Sequence, residues 1–243
     1  MSLNYVSLAG SGNSSDSTEG GMFTANSKAS VLTQVGWGGA QYGLAFAYRY
    51  GQCGTGKRRG TNFLAANEFN NECEYDSFNW LDQDNYQGFF APVRSNLSSH
   101  NFALSGYWVP EYTGWIPSIS VSYSESHVNG RGFYKGSPLS SRSWFLGFKW
   151  DDVLEVGNDI GFAVGQPNYS TNLKGDYGVY DGNYLLEMYA TFQLTDHIQI
   201  TPAIFWLTRP LGQYTNNFTN DQDPSKSSTF GVWGGLLQST FRF

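Results

Sequence analysis

The sequence predicts an all-β chain, an antiparallel up-and-down transmembrane β-barrel, and three observations carry that prediction. Runs of alternating apolar and polar residues recur from end to end, bounded by Gly, Asn, Asp and Pro, with almost no helical periodicity. The segments joining those runs alternate between short and long without exception. Charged residues inside the runs avoid the apolar parity. Ten strands are visible, in one domain spanning residues 1–243.

Taken in order, the first strand, residues 2–9, is the weakest: Leu3 and Tyr5 share a face while Val6 and Leu8 spread over the other. Residues 30–37 and 41–50 form a hairpin across 38–40. In its second arm Tyr42, Leu44, Phe46, Tyr48 and Tyr50 oppose Gly43, Ala45, Ala47 and Arg49. Residues 100–109 and 115–124 follow, with Ser118, Ser120, Ser122 and Ser124 as a hydroxyl ladder on the polar side. In residues 143–150, Trp144, Leu146, Phe148 and Trp150 oppose Ser143, Gly147 and Lys149. Residues 158–165, 183–194 and 198–208 continue the pattern. The closing run, 229–243, sets Trp233, Leu237, Phe241 and Phe243 against Val232, Gly234, Gln238, Thr240 and Arg242. Pro117 and Pro202 fall inside predicted strands, where a missing N–H removes a ladder bond, so they are expected to mark bulges or strand starts.

Connections after the second, fourth, sixth and eighth strands are short: 38–40, 110–114, 151–157 and 195–197. Those after the odd strands are long and polar, the longest being 51–99. That is the hairpin plan of a barrel with tight periplasmic turns and extended outer loops. Five charges lie within the strand cores, namely Arg49, Lys149, Asp159, Glu187 and Arg242, and each faces away from the apolar side chains of its strand. A basic residue on the lipid face at mid-membrane costs about 2–4 kcal/mol, so the segregation is what lipid requires. Arg49, Lys149, Asp159, Glu187, Ser120 and Ser122 are therefore the candidate pore-lining residues. Trp37, Tyr42, Trp108, Trp115 and Trp150 flank the short turns and, with Phe243 at the closing strand's end, are the candidate membrane-interface aromatics; Tyr50, Tyr123 and Tyr184 would form the opposite girdle.

Composition narrows the classes further. Charged residues are only 14% and aromatics 17%, and no run of about 18 apolar residues occurs, which excludes a transmembrane helix but not a barrel. The net charge of −6 argues against nucleic acid. Cys53 and Cys73 share one long polar segment, and a loop disulfide and two unpaired thiols fit about equally. Residues 51–58, GQCGTGKR, imitate a phosphate-binding loop but place Arg58 where a hydroxyl belongs and lead into no helix. Asp82 and Asp84 begin a calcium-loop pattern that has Val93 where the closing glutamate belongs, and they read as a solvated acidic loop. His100, His127 and His197 lie in unrelated segments. No catalytic residue, cofactor or metal is expected.

Several stretches together carry a family resemblance: SLNYVSLAG from Ser2, VLTQVGWGGAQYGLAFAYRYG from Val31, LLEMYATFQLTDHIQITPAIFWLTRP from Leu185 and the closing STFRF. They resemble the porin domain of cyanobacterial outer-membrane porins, related to the carbohydrate-selective porins, most specifically over residues 183–210. The resemblance implies a channel in the bacterial outer membrane for passive passage of small hydrophilic solutes, inorganic ions including iron, or sugars. It implies outer-membrane lipid as surroundings and a homo-oligomer, a trimer, as the assembly. Such barrels have about sixteen strands, and Met1-Ser2-Leu3 leads straight into strand-like sequence with no export signal ahead. The expectation is therefore the C-terminal part of a fuller barrel. Two alternatives are a soluble β-sandwich that binds glycans through its aromatics, and a non-conducting outer-membrane barrel with an adhesive or structural role.

Overall fold

The computed structural model describes residues 1–7, 29–52, 60–61, 64, 98–112, 114–129, 136–175, 178–215 and 231–242. Ten strands run β1 (Ser2–Ser7), β2 (Ala29–Gly38), β3 (Tyr42–Gln52), β4 (Ser98–Trp108), β5 (Ser118–Asn129), β6 (Pro138–Trp150), β7 (Asp159–Leu173), β8 (Leu185–Thr195), β9 (Ile198–Thr208) and β10 (Gly231–Phe241). They make one antiparallel sheet in chain order, with β1 and β10 at its two edges, so the ring is not closed within these strands. A 3-10 turn, Gly212–Tyr214, follows β9. No described helix is long and apolar enough to cross a membrane.

Residues directly opposed across a ladder share a face, so the register assigns every strand residue to one side. One row runs Trp37, Leu44, Gly106, Val121, Leu146, Val164, Leu186, Trp206 and Trp233 across nine strands. The neighbouring row, on the other face, runs Gly38, Gly43, Tyr107, Ser120, Gly147, Ala163, Glu187, Phe205 and Gly234. Large apolar residues dominate one side and small or polar ones the other.

This sheet has almost no protein core. Among the described residues the buried apolar side chains are Ala29, Leu64, Val128 and Leu173, whereas Trp37, Leu44, Phe46, Leu104 and Leu237 are exposed. A two-layer sandwich would bury those residues against a second sheet. With one sheet and no second layer, the sandwich alternative is not the fold observed.

The strands match the alternation closely at the short-turn end and overrun it at the other. β5 continues to Asn129, β6 begins at Pro138 and β7 continues to Leu173, each beyond the alternating run. The cause is that Glu125, His127, Arg142 and Gln166 occupy apolar-face positions there, so the apolar signal stops before the ladder does. Pro117 precedes β5 rather than lying in it, which also puts Trp115 in the connection instead of the strand. Pro202 sits in β9 opposite Leu237, and the β8 to β9 pairing lapses beside it, between Tyr189 with Ala203 and Phe192 with Ile200. A third proline, Pro167, falls where the β6 to β7 register shifts between Arg142 with Tyr169 and Trp144 with Gln166.

The short turns are tightly specified. Gly39 N–H donates to the Tyr42 carbonyl at 2.7 Å. In the β6 to β7 connection Asp152, Leu154 and Gly157 have φ of 56°, 69° and 91°, and the Asp152 carboxylate accepts from the Gly157 N–H at 2.8 Å.

Candidate functional site

The small-residue face carries all six candidate pore residues. Arg49 stands opposite Asn101, Ser120 opposite Gly147, Ser122 opposite Phe145, Glu187 opposite Ala163 and Asp159 opposite Thr191. Lys149 and Asp159, read separately from the sequence, are brought together: the Lys149 ammonium lies 3.0 Å from Asp159 Oδ2 and 2.6 Å from Asp151 Oδ1. The charge there is locally compensated rather than a bare cationic station. Farther along the strands the hydroxyls join a network, with Ser124 Oγ 2.7 Å from Ser143 Oγ, and Ser126 Oγ donating to Asn101 Oδ1 at 2.6 Å.

The same face holds four aromatic rings that parity alone did not single out, Tyr107, Phe145, Tyr189 and Phe205. Each lies across a glycine. A methyl group on Gly43, Gly161 or Gly234 would run into the ring of Tyr107, Tyr189 or Phe205 respectively, and one on Gly147 would stand 2.8 Å from Phe145 Cζ. The sequence signal was present, since an aromatic and a glycine face each other in the pairs Gly43 with Tyr107, Gly161 with Tyr189 and Gly234 with Phe205. It becomes readable only once register is known.

The apolar face carries the aromatic candidates at its short-turn end. The Trp37 and Tyr42 rings are 5.3 Å apart, Trp108 lies opposite Tyr42, and Phe148 and Trp150 are 6.3 Å apart. Trp115 is 97% exposed in its turn, where its carbonyl accepts from Trp150 Nε1 at 3.0 Å. Of the opposite trio, Tyr50 packs 5.4 Å from His100, the Tyr123 hydroxyl donates to Glu125 at 3.0 Å, and Tyr184 meets Trp144 edge-on at 6.5 Å.

Here the charge segregation read from the sequence needs correcting. The longer strands add Glu125 and Arg142 to the apolar side, held together at 3.0 Å, with His127 Nε2 also 3.0 Å from Glu125. They stand at the long-loop end. From Trp150 to Arg142 the strand rises about 26 Å, or about 20 Å along a membrane normal at barrel tilt, close to the full height of an apolar band.

Past that end, the 51–99 connection docks back onto the sheet. Thr61 N–H donates to the Asn168 carbonyl at 3.0 Å, and its hydroxyl to Asp181 Oδ2 at 2.8 Å. Asp181, almost wholly buried, also accepts from the N–H groups of Ser170 at 2.6 Å and Gln213 at 3.1 Å. Burial pushes the Asp181 carboxyl above its ordinary value, against the downward pull of these donors and of Arg209. One carboxylate thereby ties together β7 and three connections. Arg209 reinforces two of those connections by donating to the Tyr180 carbonyl at 2.6 Å.

Cys53, Cys73 and Phe243 lie outside the described residues. Among the described residues no group of three or more His, Cys, Asp or Glu is placed to hold a metal ion.

Comparison with known proteins gives the following. Residues 145–243 match the family model described as carbohydrate-selective porin, OprB family. The chain is 28% identical over 119 residues to the uncharacterized protein alr4550 of Nostoc sp. (strain PCC 7120), an alignment covering 49% of this chain and 19% of that one. The chain thus spans about a fifth of that relative's length. No solved structure matches. The similarity to carbohydrate-selective porins is carried by the C-terminal part of the chain, β7 to β10 with the second half of β6, and it takes in residues 183–210, the stretch most specific in the sequence.

Proposed function

We propose that this chain is part of the wall of an outer-membrane porin, a water-filled channel for passive diffusion of small hydrophilic solutes. The observation that carries the reading is the sheet itself. An apolar row crosses nine strands with no protein packed on it, while the adjacent row is Gly, Ala, Ser and Glu with two aromatic rings laid among them. Hydrocarbon is the solvent that suits the first face, and water the second. Backbone groups left unpaired in hydrocarbon cost several kcal/mol each, so the edges β1 and β10 would be closed by further strands, from a longer polypeptide or a second copy.

On this reading Arg49, Lys149, Asp159, Glu187, Ser120 and Ser122 line the lumen, and Trp37, Tyr42, Trp108, Trp115 and Trp150 sit at the periplasmic interface. The family similarity supports sugars as solutes, and the cyanobacterial resemblance adds inorganic ions including iron. A trimer in outer-membrane lipid is the proposed assembly. The test is reconstitution of the purified protein in a planar lipid bilayer. Stepwise, non-saturating ion conductance is expected, with cation-to-anion preference shifted by Arg49→Glu and Lys149→Glu. A silent bilayer with correctly folded protein would remove the transport claim.

A further inference from the structure

The four rings on the small-residue face are laid out in a way that ion conduction alone does not require. Tyr107 is pinned flat by its hydroxyl, which donates to the Gly39 carbonyl at 2.6 Å, and by the bare backbone of Gly43 beneath it. Phe145 lies over Gly147 in the same manner. Both keep their other side open, at 45% and 42% exposure. Between them is a recess of about 560 Å³ whose lining includes Tyr107, Phe145, Ser105, Ser120 and Ser122. Beyond Phe145 a second recess of about 240 Å³ is lined by Ser122, Ser143 and Glu187 among others.

Tyr107 and Phe205 belong to one row and the Phe145 ring drops onto it, so the rings recur along a single line across the sheet. Strands lie about 4.8 Å apart, so Tyr107 to Phe205 spans about 24 Å of wall; at barrel tilt that line descends about 15 Å along the channel axis. Rings and hydroxyls alternate down an incline.

A hexose presents an apolar C–H face and a rim of equatorial hydroxyls. Aromatic faces complement the first, and serine hydroxyls with a carboxylate complement the second. A hydrated ion uses neither. Resting on the channel reading above, we infer that Tyr107 and Phe145, with Ser105, Ser120 and Ser122, form a pyranose-binding station in the lumen wall. The station takes neutral sugars by stacking, and Tyr189 and Phe205 continue the path.

The experiment titrates maltotriose into the single-channel current in KCl, with a polyethylene glycol of matching size as control. Calorimetry measures maltotriose binding to the detergent-solubilised protein in parallel. Saturable block by the sugar and not by the glycol is expected, together with calorimetric binding. Replacing both rings, Tyr107→Leu with Phe145→Leu, keeps an apolar cover over the glycines but should raise the half-blocking concentration and the Kd about 10-fold. Ser120→Ala with Ser122→Ala, which leaves the rings untouched, should weaken both several-fold, and Tyr107→Phe with Phe145→Tyr should retain both. Equal block by glycol and sugar, undiminished affinity in the leucine and alanine variants, or no calorimetric binding would each overturn the station. A folded protein that binds maltotriose but passes no current would overturn the channel reading while leaving the station standing.

Discussion

Val121 and Ser122 are neighbours in β5 and belong to two different environments. Val121 lies in a row of large apolar residues between Gly106 and Leu146, Ser122 in a row of small ones between Ser105 and Phe145. What separates the faces is volume as much as polarity: one is filled out toward its surroundings, the other kept low so that space remains above it. The difference holds across the sheet but not along its whole height. At the short-turn end charge is confined to the small-residue face, with Lys149, Asp151 and Asp159, whereas at the long-loop end Glu125 and Arg142 occupy the apolar face. The apolar face is a band of finite height, as a membrane wall needs.

The sharpest way to break that comparison is to place the same charge on both neighbours. Val121→Arg should cost about 2–4 kcal/mol and abolish stable assembly in lipid, while Ser122→Arg should fold within about 1 kcal/mol of the parent. Urea titration of refolding into lipid vesicles reads both. Equal penalties would mean that the two rows do not face different solvents.

Space on the small-residue face gives the next effect. Gly161→Ala would drive a methyl into the Tyr189 ring and should destabilise by about 1–3 kcal/mol, whereas Gly39→Ala, whose methyl meets nothing within 4 Å, should stay within about 0.5 kcal/mol. A double-mutant cycle with Tyr189→Ala should recover part of the first loss. Arg142 tests the height of the band: Arg142→Leu should change stability by less than about 1 kcal/mol, since an exposed ion pair at the interface is worth little.

The smallest effect concerns the docked loop. Because burial raises the Asp181 carboxyl, its contribution is full below the ordinary carboxylate range near about 4 and is lost as pH rises through the raised value. Hydrogen exchange at Thr61, corrected for intrinsic rate, should therefore be slower at acid pH than above neutrality. Asp181→Asn should remove that dependence.

Much of this was legible because period-2 alternation is local. Ten strands, their order and the side on which Arg49, Lys149, Asp159 and Glu187 lie follow from neighbouring residues alone. What required coordinates depends on register or on long-range docking. The overrun of β5, β6 and β7 was hidden because Glu125, His127 and Arg142 break the apolar pattern while the ladder continues. The Lys149 to Asp159 pair joins two strands, and each ring over its glycine is fixed by cross-strand alignment in three of four cases. Asp181 reads as an ordinary loop acid until Thr61, 120 positions away, is seen donating to it.

The most direct test is a nitroxide scan from residue 143 to 149 in β6 of the bilayer-reconstituted protein, reading collision with oxygen against a water-soluble nickel chelate. The membrane reading predicts a period of two, with oxygen dominant at 144, 146 and 148 and nickel dominant at 143, 145, 147 and 149. A flat profile, or the opposite phase, would contradict it.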